Sequence, residues 1–149
     1  MIKEHFFPTI VYGFDLPMAP HLNQQLEQDI IAWSKQDKGL EKTNVKGWHS
    51  QTDMHTKSEY RPLVDQLFLA MGQVWDDQHL DREAKLGNMW ANINPPGGMN
   101  QSHLHPNCLF SGAYYVKSNP QAGRLKIYDP RPGVQLNLPV RTQTKIPKS

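Results

Sequence analysis

At 149 residues the chain is long enough for one domain and too short for two comfortable ones. Hydrophobic residues make up 38% and charged residues 20%, a balance that suits a soluble globular protein and excludes a disordered one. The net charge is only +2 with Lys and Arg scattered, so the footprint of a nucleic-acid binder is missing, and no apolar run approaches the roughly 20 residues that span a bilayer.

The N-terminal MIKEHFFPTIVYGFDLP contains Pro8, Gly13 and Asp15 and no small-residue cleavage site, so it does not read as a signal peptide. Within it, residues 6–13 (FFPTIVYG) are rich in aromatic and β-branched types and predict a strand. Pro20 opens a helix, where its missing N–H costs little, and Leu22, Leu26, Ile30 and Trp33 follow on one apolar face. A polar stretch over 35–57 holds Gly47-Trp48-His49-Ser50 and His55. Ser58 is placed to cap a second helix, with Pro62 in its first turn and Leu63, Leu67, Met71 and Val74 as its buried stripe.

After about residue 84 the character changes. Met89 to Asn94 alternates as a strand does and ends in Pro95-Pro96-Gly97-Gly98, a strong turn signal. Residues 109–116 (LFSGAYYV) and 124–128 (RLKIY) predict two more strands, and 134–140 a weak one that Pro139 confines to an edge. The single Cys108 excludes an internal disulfide framework and reads as a small filler in a reducing compartment. A soluble, cytoplasmic α+β protein is expected, one domain over 1–149, with a strand and helices in 1–83 and a β-sheet core from 84 onward.

The chemistry concentrates in Gly97 to Tyr115. His103 and His105 are two residues apart, so on a strand both imidazoles face one way and converge on one point, and imidazole is the commonest side-chain ligand for late first-row metals. A pair of surface histidines is the bland alternative. The Gly-rich turn before the pair, Pro106 just after it and the strand that follows favour a site at a barrel mouth.

Several ordered segments carry a resemblance: Trp90-Ala-Asn92-Ile-Asn94-Pro-Pro-Gly97, Asn100-Gln-Ser-His103-Leu-His105-Pro106, Ser111-Gly112-Ala-Tyr114-Tyr115-Val116, Gly123-Arg-Leu125 and Asp129-Pro130-Arg131. With Phe7-Pro8-Thr9 and Gly47-Trp48-His49-Ser50, the chain resembles a family of 2-oxoglutarate/Fe(II) oxygenases. The resemblance implies N-terminal helices packed on a double-stranded β-helix, or jelly-roll, with Fe(II) at its mouth and 2-oxoglutarate as co-substrate. The activity it implies is hydroxylation of an unknown small-molecule or protein substrate, with release of succinate and carbon dioxide.

His103 matches the first histidine ligand of that family. His105 stands where most of the superfamily has a carboxylate, as a ligand of this subfamily's own or as support for one. Tyr115 resembles the strand tyrosine that holds the co-substrate carboxylate, Leu125 would pack on its chain, and Asn92 would line the pocket. Tyr114 should point the other way. No histidine follows His105, and the family's distal histidine and its carboxylate-gripping arginine have no counterpart. The expectation is therefore a chain whose C-terminal strands are missing, and with them the distal histidine and arginine that the family uses for activity. Two other readings remain: a cupin-like metal-binding jelly-roll, which lacks its acid at Leu109 or Phe110, and a non-catalytic jelly-roll interaction module.

Overall fold

The computed structural model describes residues 1, 2, 4, 8–81 and 83–131. The chain forms two compact units, one of Met1–Val11 with Arg124–Ser149 and one of Tyr12–Gly123. In the smaller unit Asp129 accepts hydrogen bonds from the Arg131 backbone and guanidinium (3.0, 2.9 and 2.5 Å), closing a turn. That ion pair holds the Asp129 carboxyl down at about 2, chiefly through the Arg131 side-chain hydrogen bonds.

In the larger unit helix α1 runs Ala19–Gln36 with proline in its first turn. Its apolar stripe points inward as the spacing predicts: Leu26 and Ile30 are buried, and Leu22 and Trp33 pack beside them. Helix α2 spans Arg61–Asp77 and buries Leu63, Val64, Ala70 and Val74. Ser58 does not cap it. A 3-10 turn over Ser58–Tyr60 intervenes, and the helix proper starts one turn later, with Tyr60 at the cap position.

That extra turn drives the Tyr60 ring into the core, where it is 1% exposed and stacks on Trp33 at 5.8 Å. Burying side chains of the size of Leu26, Leu63 and Tyr60 contributes about 1.5–3 kcal/mol each, which is what holds the two helices together.

The polar stretch after α1 supplies sheet partners. Strand β1 (Asn44–Val45) pairs antiparallel with β4 (Met99–Asn100), Asn44 opposite Asn100. Strand β2 (Trp48–His49) pairs antiparallel with β3 (Asn92–Ile93), His49 opposite Asn92. Ser50 N–H to Ala91 O at 3.0 Å carries the second pairing onward, and Met54 N–H to Met89 O at 3.1 Å belongs to an isolated parallel bridge.

Alternation sorts the two faces. Met89, Ala91 and Ile93 join Trp48 against the helical core, so Trp90 and Asn92 face the other way. Of the stretch predicted as a strand from Met89, Asn92–Ile93 forms β3, paired with residues that read as loop.

The backbone of 101–117 hangs on this frame differently. Gln101 N–H donates to Thr43 O at 2.7 Å, continuing the β1–β4 pairing by one residue. From 102 to 117 no backbone–backbone hydrogen bond occurs among the described residues, and 109–116 and 124–128, predicted as strands, carry no ladder there. Residues 134–140 lie outside the described residues.

Side chains hold the segment instead. Phe110 meets Trp75 of α2 at 5.3 Å, Tyr114 donates to Asn23 of α1 at 2.5 Å, and Lys117 pairs with Glu27 at 2.5 Å. No helix among the described residues is long and apolar enough to cross a membrane.

Candidate metal centre

Strand β4 ends at Asn100, and the anchor at Gln101 fixes where the chain leaves the sheet. Three residues on, the His103 ring folds back so that its Nδ1 lies 2.7 Å from Gln101 O. A carbonyl can only accept, so Nδ1 carries the proton and Nε2 presents its lone pair outward. The His105 ring meets it there: the two Nε2 atoms are 2.8 Å apart, with ring centroids 4.8 Å apart. On its far side the His105 Nδ1 is hydrogen-bonded to Ser111 Oγ.

The imidazoles thus converge as the spacing predicts, although no strand ladder aligns them.

This arrangement has two proton configurations. With a proton on His105 Nε2, that nitrogen donates to His103, and the Ser111 hydroxyl donates to Nδ1. With the proton on Nδ1, the Ser111 oxygen accepts it and two bare lone pairs face each other. The second configuration repels itself unless a cation lies between the rings. Ser111 serves both, because a hydroxyl donates or accepts by rotating, so His105 changes tautomer without gaining or losing net charge. Burial first, and the neighbouring His103 second, hold the His105 pKa below the ordinary imidazole value, which favours the neutral ligand form.

The distance fits a metal as well. Two nitrogens about 2.1 Å from one ion at right angles lie about 3 Å apart, close to the separation observed.

His105 is also braced laterally. Trp90, on the outer face of its strand, meets the His105 ring at 5.4 Å in an edge arrangement. His49 stacks on the same indole at 5.3 Å and 10°. The β2–β3 register explains the stack, since His49 lies opposite Asn92 and Trp90 is its diagonal neighbour on the same face. His49 is buried, and its Nδ1 donates to Ser50 O at 2.6 Å.

His49, part of the Gly47-Trp48-His49-Ser50 segment, occupies an aromatic stack. The contribution of Trp90 was missed, and the alternation of 89–94 was the signal that could have revealed it.

The other expected site residues are less directly placed. Asn92 is exposed and enters the site only through its cross-strand neighbour His49. Tyr114 turns inward to α1, and burial raises its pKa. Tyr115 is 57% exposed. Leu125 belongs to the smaller unit and is exposed.

His55 sits in a 3-10 turn with its Nδ1 buried and unpartnered. Among the described residues no group of three or more His, Cys, Asp or Glu converges as a metal cage, and His103 and His105 meet as a pair.

Residues 88–149 match the family model described as "Putative 2OG-Fe(II) oxygenase". That stretch of the chain is similar to the 2OG-Fe(II) oxygenase family. The matched stretch contains His103, His105, Ser111 and Trp90, so the geometry above lies within the matched segment. The ferrous ion that the family implies suits the pair, because both Nε2 atoms can offer lone pairs to one point at a cis-ligand separation. No curated protein and no solved structure matches the chain.

Proposed function

We infer that this oxygenase is a 2-oxoglutarate-dependent dioxygenase whose ferrous ion is held by His103 and His105. The convergence of the two Nε2 atoms at 2.8 Å carries the reading. The net reaction consumes 2-oxoglutarate, dioxygen and a substrate C–H, and yields succinate, carbon dioxide and the hydroxylated substrate. One oxygen atom enters succinate and the other the alcohol. When bound, iron supplies the coordination positions at which co-substrate and dioxygen meet.

The residues of the chain set the stage for this. The Gln101 carbonyl keeps the His103 lone pair on Nε2, and Ser111 lets His105 do likewise. Two neutral ligands leave more positive charge on the ion than a carboxylate would, which favours a dianionic co-substrate. Tyr115, exposed and free of the Asn23 tether that holds its neighbour, is the hydroxyl available to the co-substrate carboxylate, with Asn92 as further lining. The fold that accompanies this reading is a double-stranded β-helix with its helices against one face.

Anaerobic titration with Fe(II) and 2-oxoglutarate tests the assignment. A weak visible charge-transfer band is expected in the wild type, followed by succinate on admission of air, and His103→Ala should remove both. Equal metal affinity in wild type and His103→Ala would sink the assignment. Metal binding without the band would favour a cupin-like metal protein instead.

A further inference from the structure

Two aromatic residues outside the ligand pair are arranged as a brace. The Trp90 indole contacts His49 on one side through a near-parallel stack and His105 through an edge contact, at 5.3 and 5.4 Å. His49 is the fixed end. It is 5% exposed, its Nδ1 is committed to Ser50 O, and the Ser50 hydroxyl, fully buried, accepts the Ala91 amide at 2.9 Å and so locks the two strands together.

The free end is His105, on a segment with no backbone ladder of its own. Its Ser111 contact fixes a hydrogen bond but leaves the ring free to swing about that bond. The indole edge opposes the swing, together with the His103 ring that meets His105 at Nε2.

We propose that His49 and Trp90 are positioning residues that set the plane of the His105 imidazole, and that His49 itself ligates nothing. This rests on His103 and His105 holding a metal, and it deepens that assignment by naming what orients the second ligand. The mechanism is packing rather than proton transfer: edge and stacked aromatic contacts of this kind fix ring geometry, and groups that support ligands in this way typically change metal affinity by about 10–100-fold when removed.

Cobalt(II) binding to the full chain tests this, read from its visible ligand-field bands and independent of turnover. Trp90→Leu should raise the cobalt dissociation constant about tenfold and shift the bands. Trp90→Phe, which keeps an aromatic edge, should recover most of the affinity and the wild-type band positions.

His49→Phe keeps the stack and removes the nitrogens, so it should bind as wild type does, whereas His49→Ala should behave like Trp90→Leu. Loss of cobalt in His49→Phe to the extent seen in His103→Ala would overturn the brace and make His49 a ligand. Unchanged affinity and bands in Trp90→Leu would overturn it while leaving the metal site standing. A wild type that binds no cobalt would overturn both. Far-UV circular dichroism of each variant separates these results from unfolding, and a loss that follows melting temperature with no band shift counts against the proposal.

Discussion

Gly39 offers a sharp test of how the frame holds the site. Its φ is +74°, and a Cβ there would stand 2.5 Å from the His49 carbonyl oxygen and 2.7 Å from two atoms of the Trp48 ring. Gly97 has nearly the same backbone angle, +77°, with nothing within 4 Å of the added carbon. Alanine at either position meets a left-handed backbone cost of about 1–2 kcal/mol, partly offset by about 0.4–1 kcal/mol from a stiffer unfolded chain. Gly97→Ala should therefore cost about 1 kcal/mol.

Gly39→Ala must also push β2 away. The bonds in its path are Leu40 N–H to His49 O at 2.7 Å and Trp48 Nε1–H to Asp37 O at 2.9 Å. At about 1 kcal/mol each, their loss brings the total to about 3 kcal/mol. Urea unfolding followed by far-UV circular dichroism reads the difference. With a slope of about 2 kcal/mol per molar, the Gly39→Ala midpoint should fall about 1.5 M and the Gly97→Ala midpoint about 0.5 M. Equal midpoints for the two variants would refute the close approach of residue 39 to β2.

Other consequences can be checked more quickly. Leu26→Ala, at a position 1% exposed, should cost about 2–5 kcal/mol in thermal or urea unfolding, while Ile31→Ala on the open face of α1 should stay within about 0.5 kcal/mol. Burial, followed by the charges of Glu59 and Asp29, pushes the Tyr60 phenol up to about 12. Its neutral form is favoured by folding, so its contribution is intact below pH 10 and is lost as pH rises from 10 through 12; ultraviolet titration should show one tyrosine ionising last, and its absence in Tyr60→Phe identifies it. Tyr115→Phe should weaken 2-oxoglutarate binding several-fold and leave cobalt affinity unchanged, and a loss of cobalt would place the hydroxyl at the metal instead.

The helices were legible because their period is strong. Leu22, Leu26, Ile30 and Trp33 leave little choice about which face of α1 is buried, and Pro20 marks its start. Ser58 misled because a good capping residue competes with whatever the tertiary structure does one turn later; here burying Tyr60 decided the boundary.

Strands β1 and β2 escaped notice since two residues hold no period, and a polar Asn-Val or Trp-His pair has no signature apart from its partner across the sheet. The spacing of His103 and His105 told that they converge. It did not tell how, because the hydrogen bonds to Gln101 and Ser111 that aim the rings belong to the folded chain. Trp90 and His49 are 41 positions apart in numbering, and only the β2–β3 register joins them.

The absence of ladder bonds from 102 to 117 has a consequence for how tightly the pair can hold an ion. The two histidines sit on backbone tied down among the described residues by side-chain contacts, at His105, Phe110, Tyr114 and Lys117, so local opening there need not break the helices or either strand pair. Amides of this stretch should exchange with deuterium well before those of Leu26 and Ile30, and cobalt should slow them selectively. Part of the intrinsic coordination energy then goes into ordering the segment, so the apparent affinity of the two histidines is lower than their geometry alone implies, and any contact that stiffens the stretch beforehand strengthens metal capture without touching the ion.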